Sequence, residues 1–567
     1  MRILEPRRFV PLLIALSAAL SALVADREFP PNDEGALLTN AARILRGAVF
    51  YRDLDAYPFP LPTYLLAAAM ALFGEQLAVA RALAALVFGG VALCLYACAL
   101  QLTTPARAAC AALLFLGCKG YAWPAYSSYF YSDVAFLAAA AATACALRFG
   151  ATGRRRWLVA GGLACAVSIL SKQSLGLLLF GLLAIALLPG EAGAGSARLR
   201  GASRAAGVAL LAAATAAPCA LALGYFAAHG VAGQMLASGL VRPFTGYLPT
   251  SAIAFTPMLA WWELGALRGM EAFPYIGAPL WILIAKAEFT SAALERACWL
   301  AAELVSRALY SALPLILLFA GWRAAGALRP ARGGRGRSRA WLPVGAFALA
   351  ASASAFPRSD FFHVISIYPA LLLLALALRG RRPVTRIEAS AAIGAALGGA
   401  LLLAAFAQRL DQRVELERAQ LWVGSDSRWT GRLVVELQRS VPPGESFFVY
   451  GNEATLYFLA DRYFPWPFPQ LYPGQEGGDG GRALAQLLRR LQPRIVVRGI
   501  TSWPGLPPLP GYTPLLVEEI RRGWERDPTD LERGLVPGEP GHTPLIALLR
   551  RRAAAAPTRA GATPPGG

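Results

Sequence analysis

The chain has 567 residues, 56% of them hydrophobic and 16% charged, with a formal net charge of +20. Apolar residues gathered into runs of about 15–25 exclude a soluble protein of this size and point to a chain that crosses a membrane repeatedly. The positive charge falls in short arginine clusters between those runs, the pattern of cytoplasmic loops rather than of a nucleic-acid-binding face.

The first apolar run, Phe9 to Ala25, follows Arg2, Arg7 and Arg8. Its end, "SALVA", puts Leu23 where a signal-peptide cleavage site needs a small residue, so the run reads as an uncleaved first span, 9–25. The next stretch, "VADREFPPNDEGALLTNAARILRG", carries the adjacent acids Asp33 and Glu34 and opens a first outer loop, 26–79. Within that loop "FPLPTYLLAAAMALF" (59–73) is apolar, short and proline-rich, and reads as a helix on the membrane interface. Further spans are expected at 80–101, 106–120, 132–149, 157–171, 174–189, 204–228, 298–321, 341–356, 362–378 and 387–407, about eleven in all.

The pair 157–189 reads as a tight or partly re-entrant hairpin. The outer loop 229–297, with "LVRPFTGYLPT" and "MLAWWELGALRG", either caps a site or packs on the bilayer. All eight cysteines lie in or beside apolar runs without a Cys-x-x-Cys, so neither a disulfide framework nor a zinc site is indicated.

The arginines orient this threading. With a cytoplasmic N-terminus, Arg107, Arg154 to Arg156, Arg198 to Arg204, Arg323 to Arg339 and Arg379 to Arg386 all fall on the cytoplasmic side. A twelfth span at 59–73 would put the later clusters outside. From Gln408 the composition becomes mixed: "SFFVY" (446–450), "RIVVRG" (494–499) and "PLIALLRR" read as strands, and "GGRALAQLLRRLQP" has helical spacing. The expected architecture is a multispanning α-helical domain, 1–407, a small extracytoplasmic α/β domain, 408–550, and a disordered tail, 551–567.

Ionisable groups beside spans mark function by default, and here they collect at one level. Asp33 and Glu34 follow the first span, and Arg81 begins the second. Lys119 ends the third, and Asp133 begins the fourth after "YAWPAYSSYFYS", with Tyr126 and Tyr131 close by. Lys172 and Gln173 turn the hairpin, and Arg358, Asp360 and His363 lie between the ninth and tenth spans. Two of the chain's three lysines are in this layer. Headgroup snorkelling accounts for any one charge, and an interfacial aromatic belt accounts for residues 121–131. Neither explains acids, bases and aromatics recurring at six outer boundaries while the inner ones are nearly pure arginine. Carboxylates can deprotonate a hydroxyl or hold a divalent cation, cations can hold a lipid phosphate, and aromatic faces suit a sugar ring. Together they describe sugar transfer from a lipid phosphate to an acceptor hydroxyl. No nucleotide-binding glycine loop is present.

Several stretches carry a family resemblance: "NDEGALLTNAARILRGAVFYRDLD", "PLPTYLLAAAMALFGEQLAVARALAALVFGG", "YSSYFYSDVAFLAAAAA", "LSKQSLGLLL", "PRSDFFHVISIYPALLLLALAL" and "VYGNEATLYFLADRYFP". The chain resembles the GT-C superfamily of integral-membrane glycosyltransferases, in the branch of bacterial proteins related to protein mannosyltransferases and the aminoarabinose transferase of lipid A. The resemblance implies a polyprenyl-phosphate sugar donor, an inverting transfer on the outer face of the bacterial cytoplasmic membrane, and an acid of the first outer loop as base. On this chain that is Asp33 or Glu34, with Asp133 as second acid. These three would also hold a divalent cation (Mg or Mn) if one is used. Arg81, Lys119, Lys172 and Arg358 are the candidates for the donor phosphate by charge and level. Tyr126, Tyr131, Gln173, Asp360 and His363 are candidates for positioning substrate. The acceptor is a glycan, lipid or protein. The rival readings are a transporter or flippase, a non-catalytic scaffold of glycan assembly, and an O-antigen polymerase or ligase, which should rely on a large loop between late spans. A transporter would place its binding groups near the bilayer midplane, often in inverted repeats, and the chain shows no repeat.

Overall fold

The computed structural model describes residues 5–187, 201–328, 341–425, 427–499, 507–526, 530 and 546–552. The arginines at 198 and 200, those between 329 and 339, and the tail from 553 lie outside the described residues.

The N-terminal helix is α1 (Pro6–Ala22). It is followed by α2 (Asn32–Leu45), α3 (Leu61–Phe73), α4 (Leu77–Leu102), α5 (Pro105–Ala122), α6 (Tyr131–Thr152), α7 (Arg156–Ser171), α8 (Gln173–Leu187) and α9 (Gly201–Ala228). Short helices α10 (Ala232–Leu236), α11 (Leu248–Thr250), α12 (Gly269–Ala272) and α13 (Ala278–Ala285) occupy the long loop. Then come α14 (Ala292–Leu328), α15 (Leu342–Ser354), α16 (Phe361–Ile365), α17 (Tyr368–Arg379) and α18 (Arg386–Gln408). Each of the eleven expected spans coincides with helix. Among the described residues six segments are long and apolar enough to cross a bilayer: Leu77–Leu102, Tyr131–Thr152, Ala205–Ala228, Ala292–Trp322, Phe361–Arg379 and Arg386–Gln408. The remaining five, α1, α5, α7, α8 and α15, have 13 to 18 residues. The expected 362–378 span is broken into α16 and α17, ahead of Pro369, whose ring forbids an uninterrupted helix through that turn.

Helices α5 and α18 run parallel and approach through glycines. A Cβ on Gly120 would lie 1.8 Å from the Gly399 carbonyl oxygen, and one on Gly399 would lie 2.2 Å from that of Gly117. Small residues let the backbones meet where lipid supplies no hydrophobic drive between helices. One end of this pair is fastened by Arg107, which donates to Glu388 at 2.8 Å and to the Pro383 carbonyl at 3.0 Å. Arg379 joins Glu388 at 3.1 Å, and Thr385 with Glu388 forms a capping box. This is the arginine end of the bundle; Lys119 and the layer of mixed charges lie toward the other.

At that other end, β1 (Gln412–Leu416) and β2 (Ala419–Val423) form an antiparallel hairpin. It is followed by α19 (Arg428–Ser440), β3 (Phe448–Tyr450), α20 (Thr455–Ala460), α21 (Arg482–Leu491), β4 (Ile495–Arg498), α22 (Leu509–Tyr512), α23 (Pro514–Gly523), β5 (Trp524–Arg526) and β6 (Ala547–Arg551). The second sheet has the order β3-β4-β6-β5, with β3 and β4 parallel and the other pairs antiparallel. The three expected strands and the helix at 482–491 are present. The β1–β2 hairpin, the helices α19, α20, α22 and α23, and β5 add to them.

The boundary expected at 407/408 runs through a continuous core. Leu38, Ala41 and Ala42 of α2 and Leu66 and Met70 of α3 pack in one apolar cluster with Leu433, Phe448, Leu456 and Val496. Gly35 permits this, since a Cβ there would sit 2.7 Å from the Thr455 backbone nitrogen. Thr39 donates to the Ala454 carbonyl at 2.9 Å and Thr455 to that of Pro30 at 3.1 Å. Arg43 reaches the Trp466 carbonyl at 2.8 Å. The first loop and the C-terminal region are thus one packed body.

Replacing Gly120 by Leu should lower the thermal unfolding temperature of the detergent-purified protein, by overpacking worth about 1–3 kcal/mol or more. Gly394→Ala, on the same α18 but with nothing within 4 Å of its added Cβ, should leave it unchanged.

Candidate functional site

The two acids of the first loop lie in the first turn of α2, where carboxylates complement the helix dipole. Neighbouring helical residues point about 100° apart, and these two have opposite fates. Glu34 is fully buried. Its Oε2 pairs with the Arg81 guanidinium of α4 at 3.0 Å, the two side chains being 0% and 1% exposed, and its Oε1 accepts from the Tyr129 backbone N–H at 2.8 Å. Asp33 is reached by solvent. Protein nevertheless surrounds its carboxyl, which lies within hydrogen-bonding reach of the Gln470 side chain and electrostatic reach of His363, Arg358 and Asp360. Burial raises its pKa, a rise that His363 and Arg358 oppose.

Opposite Asp33 lies the turn before α16. Asp360 caps that helix, accepting from the His363 backbone at 2.9 Å. It also meets His363 Nδ1 at 2.7 Å and Arg358 Nε at 3.2 Å. Burial works against its charge, yet the His363 and Arg358 contacts prevail and hold its pKa at about 2. Tyr131, Tyr247 and Tyr472 stand in electrostatic reach of both Asp33 and Arg358. Lys172, half-buried at the end of α7, stands in electrostatic reach of both Asp133 and Asp360. Gln173 bridges two loops, donating to the carbonyls of Tyr57 at 2.8 Å and Gly239 at 2.6 Å.

Three of the residues named from sequence for the donor phosphate or for positioning substrate are interior instead. Arg81 is held by Glu34. Lys119 is 1% exposed, donates to the Tyr126 carbonyl, and lies 4.4 Å from the centre of the Phe88 ring. Tyr126 is also 1% exposed, packed between Phe88 and Phe115 at ring separations of 5.9 and 5.2 Å. None is open to a donor phosphate or a sugar as placed. Asp133, 5% exposed, accepts from the Tyr126 backbone at 3.3 Å, toward the Lys172 side of this interior layer. Asp33, Glu34 and Asp133 therefore do not converge. Among the described residues no three His, Cys, Asp or Glu side chains gather as a metal cage.

Sequence reasoning missed Tyr247, Gln470 and Tyr472. Tyr247 comes from a run of π-helical turn in the long loop, which is tied to the first loop by Arg242 on Asp55 and by Ser238 on Asp55 at 3.0 Å. Gln470 and Tyr472 come from "FPQLYPG" in the C-terminal region, where Tyr57 donates to the Pro473 carbonyl at 3.1 Å. No spacing in the sequence brings these segments to Asp33.

The family described as dolichyl-phosphate-mannose-protein mannosyltransferase matches residues 57–219. The chain is similar to that family. The matched stretch covers Arg81, Asp133, Lys172 and Gln173 but not Asp33 or Arg358. No curated protein matches the chain. Among solved structures, ArnT from Cupriavidus metallidurans bound to undecaprenyl phosphate is 15% identical, with a TM-score of 0.47, over 96% of this chain and 98% of that one. The oligosaccharyltransferase of Archaeoglobus fulgidus is 15% identical, with a TM-score of 0.48, over 87% of this chain and 70% of that one.

Glu34 and Asp33 should separate by experiment. Glu34→Ala strands the Arg81 charge in the interior and should cost about 3–5 kcal/mol, read as a large drop in unfolding temperature. Asp33→Asn should unfold within a degree or two of the parent.

Proposed function

We propose that the protein is a membrane glycosyltransferase that moves a sugar from a polyprenyl-phosphate donor to an acceptor hydroxyl, with Asp33 as the general base. One observation carries this reading. Of two adjacent acids, one is locked into the fold and the other is left facing solvent among cations and tyrosines. The family match over 57–219 supports the reaction class.

In this scheme Asp33 accepts the proton of the acceptor hydroxyl while that oxygen attacks the anomeric carbon of the donor sugar. The bond from that carbon to the phosphate oxygen breaks, and its electron pair leaves on the phosphate. Arg358 and Lys172 face the charge that develops there, and attack from the side opposite the phosphate inverts the anomeric centre. Tyr131, Tyr247 and Tyr472 supply flat faces for the sugar. Asp360 holds Arg358 and His363 in place, and Gln470 holds the Asp33 carboxyl. In this reading the Asp33 end of the bundle faces out of a bacterial cytoplasmic membrane with the N-terminus inside, which the gathering of arginines toward the opposite end supports. The acceptor is a glycan, lipid or protein of that compartment.

Asp33→Asn should abolish glycan transfer, by 10²-fold or more as general bases go, while the protein still inserts and folds. Retained transfer at parental rates would refute the assignment, and substrate flux in vesicles that survives the substitution would favour transport. The pH profile gives a second check. A base works when deprotonated, so activity should fall as pH drops through the Asp33 pKa, at a pH above that of an ordinary aspartate because burial raises it. Arg358→Gln removes a charge that lowers this pKa and should move the acidic limb to higher pH.

A further inference from the structure

A second polar concavity lies away from Asp33, between β1 and α19. It is an open groove of about 430 Å³ with Val414 and Gly431 in its floor. Four arginines line it: Arg413 from the strand and Arg428, Arg432 and Arg439 from one face of the helix. Two acids also line it, but both are occupied. Glu415 pairs with Arg413 at 2.8 Å. Glu436 is buried, accepts from Ser440 at 2.9 Å and meets Arg550 at 3.2 Å. Arg428 and Arg432 are exposed, and among the described residues neither has a carboxylate within ion-pair distance. Val435, between them and Arg439, is 44% exposed.

The position of the groove indicates what it faces. Helix α18, one of those long enough to cross a bilayer, ends at Gln408, four residues before β1. Trp422 of β2 packs with Val24 at the end of α1 and with Leu403, Phe406 and Leu410 at the end of α18. Its backbone carbonyl accepts from Glu28 at 2.9 Å and its N–H donates to the Asp26 carbonyl at 2.8 Å. The β1–β2 hairpin therefore stands on the helix ends at the bilayer boundary. Guanidiniums that are exposed and uncompensated, beside an exposed valine and next to a hairpin seated on the helix ends, match a phosphodiester headgroup with its acyl chains in the adjacent lipid.

We propose that the groove between β1 and α19 is a binding site for an anionic phospholipid headgroup, distinct from the Asp33 site. None of its arginines belongs to the proposed transfer machinery, so its occupancy stands or falls separately from that reading. The bound headgroup brackets the hairpin against the membrane and holds the C-terminal region at a fixed height over the bundle.

The test uses the full-length protein in a neutral detergent, titrated with short-chain phosphatidylglycerol and followed by thermal shift and native mass spectrometry. Saturable binding is expected, weakened at least about ten-fold in the triple variant R428Q/R432Q/R439Q, with glycan transfer retained. Because that variant removes three surface charges at once, Val435→Glu provides a second route. It places a negative charge in the groove from an exposed position and should weaken binding likewise. Equal binding of short-chain phosphatidylcholine, or undiminished phosphatidylglycerol binding in both variants, overturns the proposal. Inorganic phosphate that binds as tightly as the lipid would overturn it in favour of a free-anion site.

Discussion

The buried pair between Glu34 and Arg81 sets the position of everything around it. Taking two such charges out of water costs several kcal/mol per ion, and their attraction offsets this only in good geometry with the remaining atoms satisfied. Here the Tyr129 amide serves one carboxylate oxygen and Arg81 the other, while Arg81 Nε and Nη1 have no hydrogen-bond partner among the described residues. The pair thereby pins the start of α2 to α4 and to the loop before α6. With Glu34 fixed inward, Asp33 has one direction left, the opening lined by Arg358 and the tyrosines. The open acid is a consequence of the closed one.

The second constraint is the close approach of α2 to α20. Gly35, inside the "NDEG" that marks the first loop, lets the Thr455 backbone come down on the helix, and Thr39, Arg43 and Thr455 lock the contact with hydrogen bonds across more than four hundred residues of sequence. The C-terminal region is therefore part of the site. It sends Gln470 to Asp33 and puts Tyr472 beside Arg358. A small domain hanging outside the membrane would do neither. The same welding joins Arg46 and Arg418 to the shared acids Glu75 and Asp461 at 2.8 to 3.1 Å.

What the sequence made legible follows from this. Apolar runs locate the helices because burial in lipid needs nothing but length and hydropathy. Strands such as β4, whose Ile495, Val496 and Val497 are buried in a sheet, announce themselves as "IVV". The layer of mixed charges was also legible as a layer. Sorting it was not, because a polar residue at a helix end becomes a strut or a site wall according to what packs against it. Lys119 and Tyr126 face inward because Phe88 and Phe115 receive them. Lys172, at the same level, stays half open. Gln470 gave no signal, and the stretch that holds Tyr247 fitted a cap and bilayer packing equally, since only the fold brings the long loop and the C-terminal region to the first loop.

The arginines show how burial decides use. Arg107 spends its guanidinium on Glu388 and carbonyls at the arginine end. Arg307 spends its own on Glu303 and on the carbonyls of Pro257 and Ala260, fastening the long loop to α14. Arg81 is sealed against Glu34. Each is committed within the fold. Arg358 differs: only its Nε meets Asp360, and among the described residues its terminal nitrogens have no hydrogen-bond partner. Half-buried, held at one nitrogen and free at the others, it keeps the fork that suits a phosphate, and it keeps it within reach of the one acid of the first turn that solvent can enter.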